Sequence, residues 1–231
     1  MEFAKIQFEL RFSPILNFST IYREIISPFL KLASGFQINN QGGGNEGIML
    51  LFQEDYFQID CRWDRLILIS EGDTSRFTDK NSSIKYFFEL FETFNKLNSF
   101  GKLTHYILLV NGINLQEATS DKIIAEFESN YLNKQSIKNI ISGNKVDDIM
   151  ITLEFKNSSE NISLSFGPFS ENTDVEKRSL YPFKTAIYDK VKNKNGIMSE
   201  IKIIELVQTV DKNKLLKALE TCETYHKKIA L

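Results

Sequence analysis

Cysteine and histidine are scarce in this sequence of 231 residues, which holds two of each. Two cysteines, Cys61 and Cys222, are too few for a disulfide framework, which favours a reducing compartment such as the cytoplasm. His105 and His226 are separated along the chain, and no CxxC or HxxxH pair supports a zinc site. Cys222 and His226 are four residues apart on one helix face, and we expect Cys222 to pack in the core and His226 to be half-buried. For His105 we expect a structural or surface position.

Long apolar runs and excess charge are also missing. The longest apolar runs, such as residues 106–110, have strand length and fall far short of the ~20 residues of a membrane helix. The N-terminal segment alternates in polarity and carries acidic residues, which is not the pattern of a signal peptide. Because the formal net charge is -2, the chain has no general attraction to DNA or to anionic membranes. These features predict a cytoplasmic protein without membrane contact.

Apolar residues, by contrast, recur along the whole chain. They make up 42% of it and include 19 phenylalanines, enough for a large aromatic core. Residues 2–12 alternate strictly between apolar and polar side chains, which predicts a strand with one buried face. A helix follows at residues 19–33, with a kink or break at Pro28. Further strands are predicted at residues 36–39, 47–53, 56–63 and 65–70, and a helix begins after Asn81 or Ser82.

The pattern of elements starts again near residue 103. It predicts a strand at residues 103–113, a helix capped by Thr119 or Ser120, a short helix at residues 135–142 and a hairpin at residues 149–166. Asn195-Gly196 is the favoured two-residue hairpin signal, so residues 181–191 and 197–209 are expected to pair across it. Asp211 is expected to cap the last helix.

This order predicts an α+β fold. We interpret it as a tandem of two β-α-β4-α units, residues 1–100 and 101–231, with an antiparallel sheet and helices on one face. One continuous domain is the alternative. The order of elements resembles the duplicated fold of the TATA-box-binding protein, although no sequence motif carries that resemblance. Fold alone does not determine function.

Several short stretches resemble a sporadically distributed bacterial family of conserved hypothetical proteins. They are residues 8–12, 53–55, 57–63, 87–94 and 105–113, together with a closing helix that contains His226. In the family an asparagine precedes a Trp-Arg pair, whereas this chain has Cys61-Arg62-Trp63. The resemblance implies no activity. Its patchy occurrence suggests a bacterial defence or mobile-element system, and a neighbourhood of housekeeping genes alone would contradict that.

The densest polar cluster lies at residues 60–65. On one continuous strand Asp60, Arg62 and Asp64 would share one face, and Cys61, Trp63 and Arg65 the other. We select Arg11, Asp60, Arg62 and Trp63 as candidate binding residues, with Trp63 as the anchor. The alternative is ordinary cross-strand ion pairing on an exposed sheet, with Trp63 in the core at a strand end.

Sequence patterns that would indicate a catalytic site are weaker than this polar cluster. Metal-dependent hydrolases use grouped carboxylates, and the candidates here are Asp64, Glu71, Asp73 and Asp79, although residues 71–81 also have the composition of a surface loop. The sequence contains no G-x-S-x-G motif, and the glycine-rich residues 41–47 lack the lysine and following helix of a phosphate-binding loop. That segment is better interpreted as a hairpin tip. No catalytic residue, metal or cofactor is therefore predicted.

The first functional hypothesis is a non-catalytic protein-interaction module or accessory subunit that binds another protein. The second is a nucleic-acid-binding module that uses a curved sheet, supported by the lysine-rich C-terminal region with Lys190, Lys192 and Lys194. The carboxylate-based hydrolase is the third. Salt-dependent binding of DNA or RNA separates the second hypothesis from the first.

Overall fold

The computed structural model describes residues 2–42, 45–97, 100–132, 148–169, 191 and 193–229. These residues form one nine-stranded antiparallel sheet with the strand order β2-β3-β4-β5-β1-β6-β9-β8-β7. The strands are β1 (Glu2–Phe12), β2 (Gly35–Asn39), β3 (Gly47–Phe52), β4 (Phe57–Arg62), β5 (Arg65–Asp73), β6 (Leu103–Gln116), β7 (Ile151–Asn157), β8 (Glu160–Phe169) and β9 (Asn195–Leu206). The predicted α+β class with an antiparallel sheet is confirmed.

The described helices lie on one face of the sheet. They are α1 (Phe18–Leu30), α2 (Lys85–Asn95), α3 (Ser120–Tyr131) and α4 (Lys212–Ile229). Three of them contact the sheet through aromatic or histidine rings, and α1 packs against α2. The ring contacts are Phe8–Phe87, Phe166–Phe127, Phe3–His226 and Phe18–Phe94.

Strand β1 shows why the sheet has two different faces. Its apolar residues Ile6, Phe8 and Leu10 are fully buried under the helices. The alternating residues point to the opposite side, which we call the open face. Within the described residues, the open face is packed at one end by a small cluster of Ala4, Phe169, Val191 and Met198.

The first strands of the two predicted units are neighbours at the centre of the sheet. Strand β1 pairs with β6, so one sheet spans the predicted boundary near residue 100. Helix α1 is not broken at Pro28, as the sequence suggested, but continues to Leu30. Pro28 has no N–H to donate to the carbonyl of Glu24, so it removes one hydrogen bond from α1, which ends two residues later. Asp211 accepts a hydrogen bond from the backbone N–H of Lys214, as expected of a helix cap.

The hairpin predicted at Asn195-Gly196 is wrong. Both residues lie inside β9, where they pair with Gln116 and Leu115 of β6. Pairing with a long neighbouring strand therefore overrides the local turn signal. The predicted partner strand, residues 181–191, lies outside the described residues except for Val191, and the predicted helix at residues 135–142 lies outside them entirely.

None of the described helices is long and apolar enough to cross a membrane. The longest of them, α4, has 18 residues but carries charged side chains throughout.

Candidate functional site

Three arginines form a row across neighbouring strands of the open face. Arg62 of β4 pairs directly with Arg65 of β5, and Arg65 pairs with Arg11 of β1. His105 of β6 is the next partner along, opposite Arg11. We call Arg62, Arg65 and Arg11 the arginine row. Like charges placed directly opposite each other destabilise a sheet, so this row requires compensating groups.

The tight turn between β4 and β5 places Arg65 in the row. The sequence pattern assigned Arg65 to the face opposite Arg62, and that assignment is wrong. Trp63 and Asp64 form a two-residue turn, so Arg62 and Arg65 become direct cross-strand partners and share one face. Counting alternate residues is valid only within one strand, and here the chain reverses.

Three carboxylates neutralise the row. Asp64 accepts hydrogen bonds from Arg65 Nε at 2.9 Å and Arg65 Nη2 at 2.8 Å. Asp60 Oδ2 accepts from Arg62 Nε at 2.9 Å and lies 2.8 Å from Arg62 Nη2. Glu9 forms an ion pair with Arg11 and lies 3.5 Å from Arg65 Nη1. The cluster therefore contains three positive and three negative side chains.

The arginine side chains of this cluster are more exposed than the carboxylates of Glu9 and Asp60. Glu9 and Asp60 are 5% and 7% exposed as residues. The side chains of Arg62, Arg11 and Arg65 are 44%, 29% and 26% exposed. A partner approaching the open face therefore meets guanidinium donors before it meets Glu9 or Asp60, whereas the side chain of Asp64 is 18% exposed beside Arg65.

The pKa values of the cluster follow from these contacts. Burial alone would raise the pKa of Asp64, but the hydrogen bond from Arg65 and the charges of Arg65 and Arg11 together lower it. The hydrogen bond to Asp64 raises the pKa of Arg65. Burial, followed by the nearby charge of Arg11, lowers the pKa of His105, although Glu9 opposes this shift. His105 is therefore neutral at pH 7 and adds no positive charge to the row.

Only one of the two carboxylate oxygens of Asp60 has a hydrogen-bond partner among the described residues. Its Oδ1 atom is buried and has no hydrogen-bond partner among the described residues. Gly47 on β3 leaves room for the Arg62 side chain, because a Cβ there would lie 3.3 Å from Arg62 Cγ. The charge of this buried carboxylate thus depends on Arg62 for compensation.

We expect Arg62→Ala to lower the free energy of unfolding by about 1–2 kcal/mol, because it leaves the Asp60 carboxylate buried and unpaired. Adding Asp60→Asn should restore at least half of that loss, since a neutral amide needs no counter-charge. Urea unfolding of the two variants and the wild type measures both values. Equal stabilities of the single and double variants would contradict this account of the pair.

Exposed apolar side chains flank the arginine row. Leu206, at the end of β9, pairs with His105 and is 77% exposed. Leu16 is 90% exposed, and the N–H of neighbouring Ile15 donates to the carbonyl of Trp63 at 2.7 Å. Trp63 itself is half-buried and packs against the core, as expected of a residue at a strand end. We call the arginine row together with Leu16, Trp63 and Leu206 the rim surface.

The open face beside the rim surface is partly apolar. Strands β5, β6 and β9 contribute buried or half-buried aliphatic residues there, namely Ile67, Ile69, Ile107, Leu109 and Ile204. Gln7 and Glu9 of β1 stand between them. This part of the open face therefore combines aliphatic, polar and charged side chains.

Of the three lysines proposed for nucleic-acid binding, the structure describes only Lys194, which lies away from the arginine row. Lys194 is exposed and immediately precedes β9, whereas Lys190 and Lys192 lie outside the described residues. Lys194 and Leu206 are at opposite ends of this strand, roughly 35–40 Å apart at the usual rise per residue. Lys194 and the arginine row therefore do not form one continuous positive surface.

The four hydrolase candidates are not brought together. Asp64 lies in the turn before β5, and Asp73 ends that strand. Asp73 accepts from the backbone N–H of Ser75, and Asp79 accepts from that of Asn81. Glu71 is buried on β5. Among the residues that the structure describes, no group of three His, Cys, Asp or Glu side chains is arranged to hold a metal ion.

Cysteine and histidine are likewise dispersed. Cys61 and Cys222 are fully buried, and burial raises the pKa of both thiols. His105 is on the open face, whereas His226 is buried where α4 packs on the sheet. The expected core packing of Cys222 is confirmed, whereas His226, expected to be half-buried, is only 1% exposed.

One buried polar pair was not indicated by any sequence pattern. Ser199 Oγ and His226 Nδ1 are hydrogen-bonded at 2.7 Å, and both residues are almost completely buried. Burial lowers the pKa of His226 to about 4. A serine beside a neutral histidine resembles a nucleophile and its base, but here solvent has almost no access to either residue. The pair therefore stabilises the packing of α4 on the sheet.

Glu9 was not recognised as a member of the polar cluster, and Arg65 was counted in it but not selected as a binding residue. Arg11, Asp60 and Arg62 were selected and do lie together. The period-two pattern of β1 placed Glu9 and Arg11 on one face, and that signal could have indicated Glu9.

Comparison of the chain with family models, with curated proteins and with solved structures finds no match to any of them.

Proposed function

We propose that this chain is a non-catalytic protein-interaction module, an accessory subunit that binds another protein through the rim surface. The observation that carries the proposal is a row of exposed guanidinium groups that lies on one line across the strands with the exposed side chain of Leu206. Arginine is enriched at protein interfaces, and its planar side chain binds carboxylates with two hydrogen bonds. Exposed leucines become favourable when a partner removes them from water.

The charge distribution favours a protein partner over nucleic acid. Binding along a phosphate backbone requires a continuous positive surface, which releases counterions. In the rim surface each arginine already has a carboxylate neighbour, and Lys194 is far away at the other end of β9. Nucleic-acid binding remains the second hypothesis, because the guanidinium groups retain donors that could contact phosphate.

We also propose that the sheet arose by duplication of a β-α-β4-α unit. What supports this is the order of strands outward from the centre. On one side β1 is followed by β5, β4, β3 and β2. On the other side β6 is followed by β9, β8 and β7, so the described part of the second run has one strand fewer. In each half, the strand that comes first in the sequence, β1 or β6, lies at the centre of the sheet. The strand that comes last in that half, β5 or β9, is its neighbour.

Affinity purification of the tagged protein from cells of its native host, at low and moderate salt, tests the functional proposal. We expect one protein in stoichiometric amount that is retained at moderate salt, because apolar contacts are not screened by ions. Co-purified nucleic acid that is released as salt rises would support the second hypothesis instead. A protein that elutes as a monomer with nothing bound would contradict the proposal.

A further inference from the structure

The rim surface has a direction, with a cationic end and an apolar end. Along one line across the strands lie Arg62, Arg65, Arg11, His105 and Leu206, each the direct partner of the next. At the usual separation of neighbouring strands, this line is about 19 Å long. Positive charge occupies its first half, and His105, with a lowered pKa, separates that half from the exposed Leu206.

The guanidinium groups have hydrogen-bonding capacity to spare. Each arginine carries five N–H donors. Arg62 uses its Nε and Nη2 groups on Asp60, which leaves its Nη1 group without a hydrogen bond among the described residues. Glu9 and Asp60 are buried below the guanidinium groups, and Asp64 already accepts two hydrogen bonds from Arg65, so these carboxylates are poorly placed to attract a cationic partner. Charge complementarity at the exposed layer therefore favours an anionic group.

From this arrangement we propose that the rim surface binds a protein segment that lies across the strands, with carboxylate side chains at one end and apolar side chains at the other. The carboxylates contact Arg62 and Arg11, which are two strand intervals or about 10 Å apart. The apolar end covers Leu206, whose side chain is exposed at the end of β9. This inference rests on the proposed function and specifies the chemistry of its partner.

The rim surface suits an acidic protein segment better than it suits a nucleic acid. A nucleic acid presents phosphates along its whole length and would gain nothing from the exposed leucines, unless bases were unstacked onto them. A segment of mixed character matches both halves of the line. Its carboxylates also need not displace Asp60 or Glu9, because the guanidinium groups offer donors that these acids do not use.

Selection from a library of random peptides displayed on phage tests this inference without knowledge of the natural partner. The immobilised full-length protein should enrich peptides that combine Asp or Glu with Leu, Ile or Phe. Immobilised Arg62→Gln should lose the acidic enrichment, and Leu206→Ser should lose the apolar enrichment. Arg23→Gln, on a helix away from the open face, is the matched control and should select the wild-type pattern.

Peptides selected by the wild type should bind Arg62→Gln about tenfold more weakly, as expected when one partner of an interfacial charge pair is removed. Circular dichroism of each variant confirms that it is folded. Enrichment of basic or purely apolar peptides would overturn the inference, as would equal selection by wild type and Arg62→Gln. Displacement of the selected peptides by a single-stranded oligonucleotide at equal concentration would overturn it in favour of nucleic acid. The proposed function is tested by a different experiment, the affinity purification, and is contradicted if no protein partner is retained from native cells.

Discussion

Gly112→Ala is expected to lower the free energy of unfolding by about 3 kcal/mol, as overpacking of a well-filled core does. A Cβ at position 112 would lie 2.3 Å from His226 Nδ1 and 2.4 Å from its Cε1. The histidine ring cannot retreat easily, because it is buried against Phe3 and hydrogen-bonded to Ser199. Urea unfolding followed by circular dichroism measures the loss.

Two control variants make this prediction specific. Gly35→Ala, at the edge strand β2, adds a Cβ whose nearest neighbouring atom is 3.9 Å away, so it should be close to neutral. In a His226→Ala background the space above Gly112 is empty, and Gly112→Ala should then cost less than about 1 kcal/mol. If the cost of Gly112→Ala were the same in both backgrounds, contact with His226 could not be its cause.

Acidification is expected to remove about 3 kcal/mol of stability through His226 alone. Burial lowers its pKa from 6.5 to about 4 in the folded chain, and each tenfold change in proton affinity corresponds to about 1.4 kcal/mol. Because the folded chain holds the histidine neutral, its contribution is fully present above pH 6.5. The contribution is lost as pH falls from about 6.5 to about 4, where the unfolded chain binds the proton more tightly.

The pH dependence is best measured as a difference. His226→Gln retains a hydrogen-bonding side chain at this position but cannot titrate. Free energies of unfolding at pH 7, 5.5 and 4.5 should fall more steeply for the wild type than for His226→Gln, since every other titratable group is common to both. Parallel pH profiles would show that His226 is not responsible.

Strands and helices of this fold were largely predictable, because local periodicity determines them. Strand β1 has the predicted bounds, since its alternation of apolar and polar residues leaves one arrangement with a single buried face. Asp211 was identified as a cap from residue type alone. An isolated glycine within a strand, as at Gly112, often marks the close approach of another group, but it does not say which residue approaches.

The arginine row was not fully predictable, because it depends on which strands are neighbours. Arg11 and Arg65 are more than fifty positions apart, and their pairing is determined by the whole sheet. The face of Arg65 was assigned wrongly because the turn at Trp63 and Asp64 changes the alternation. Burial of Asp60 and Glu9 beneath the guanidinium groups also depends on neighbouring strands, so the cationic character of the exposed layer was not readable from a balanced composition.

The central claim is that the rim surface binds a protein, and the affinity of the partner recovered from native cells tests it most directly. Its dissociation constant should be measured by calorimetry for the wild type, Leu206→Ser and Leu115→Ser. Both leucines are exposed on strands, but Leu115 lies at the far end of β6 and serves as the control. We predict that Leu206→Ser weakens binding about tenfold, as loss of a well-packed apolar contact does, while Leu115→Ser leaves it unchanged. Unchanged binding by Leu206→Ser, or equal weakening by both variants, would contradict the assignment of this surface.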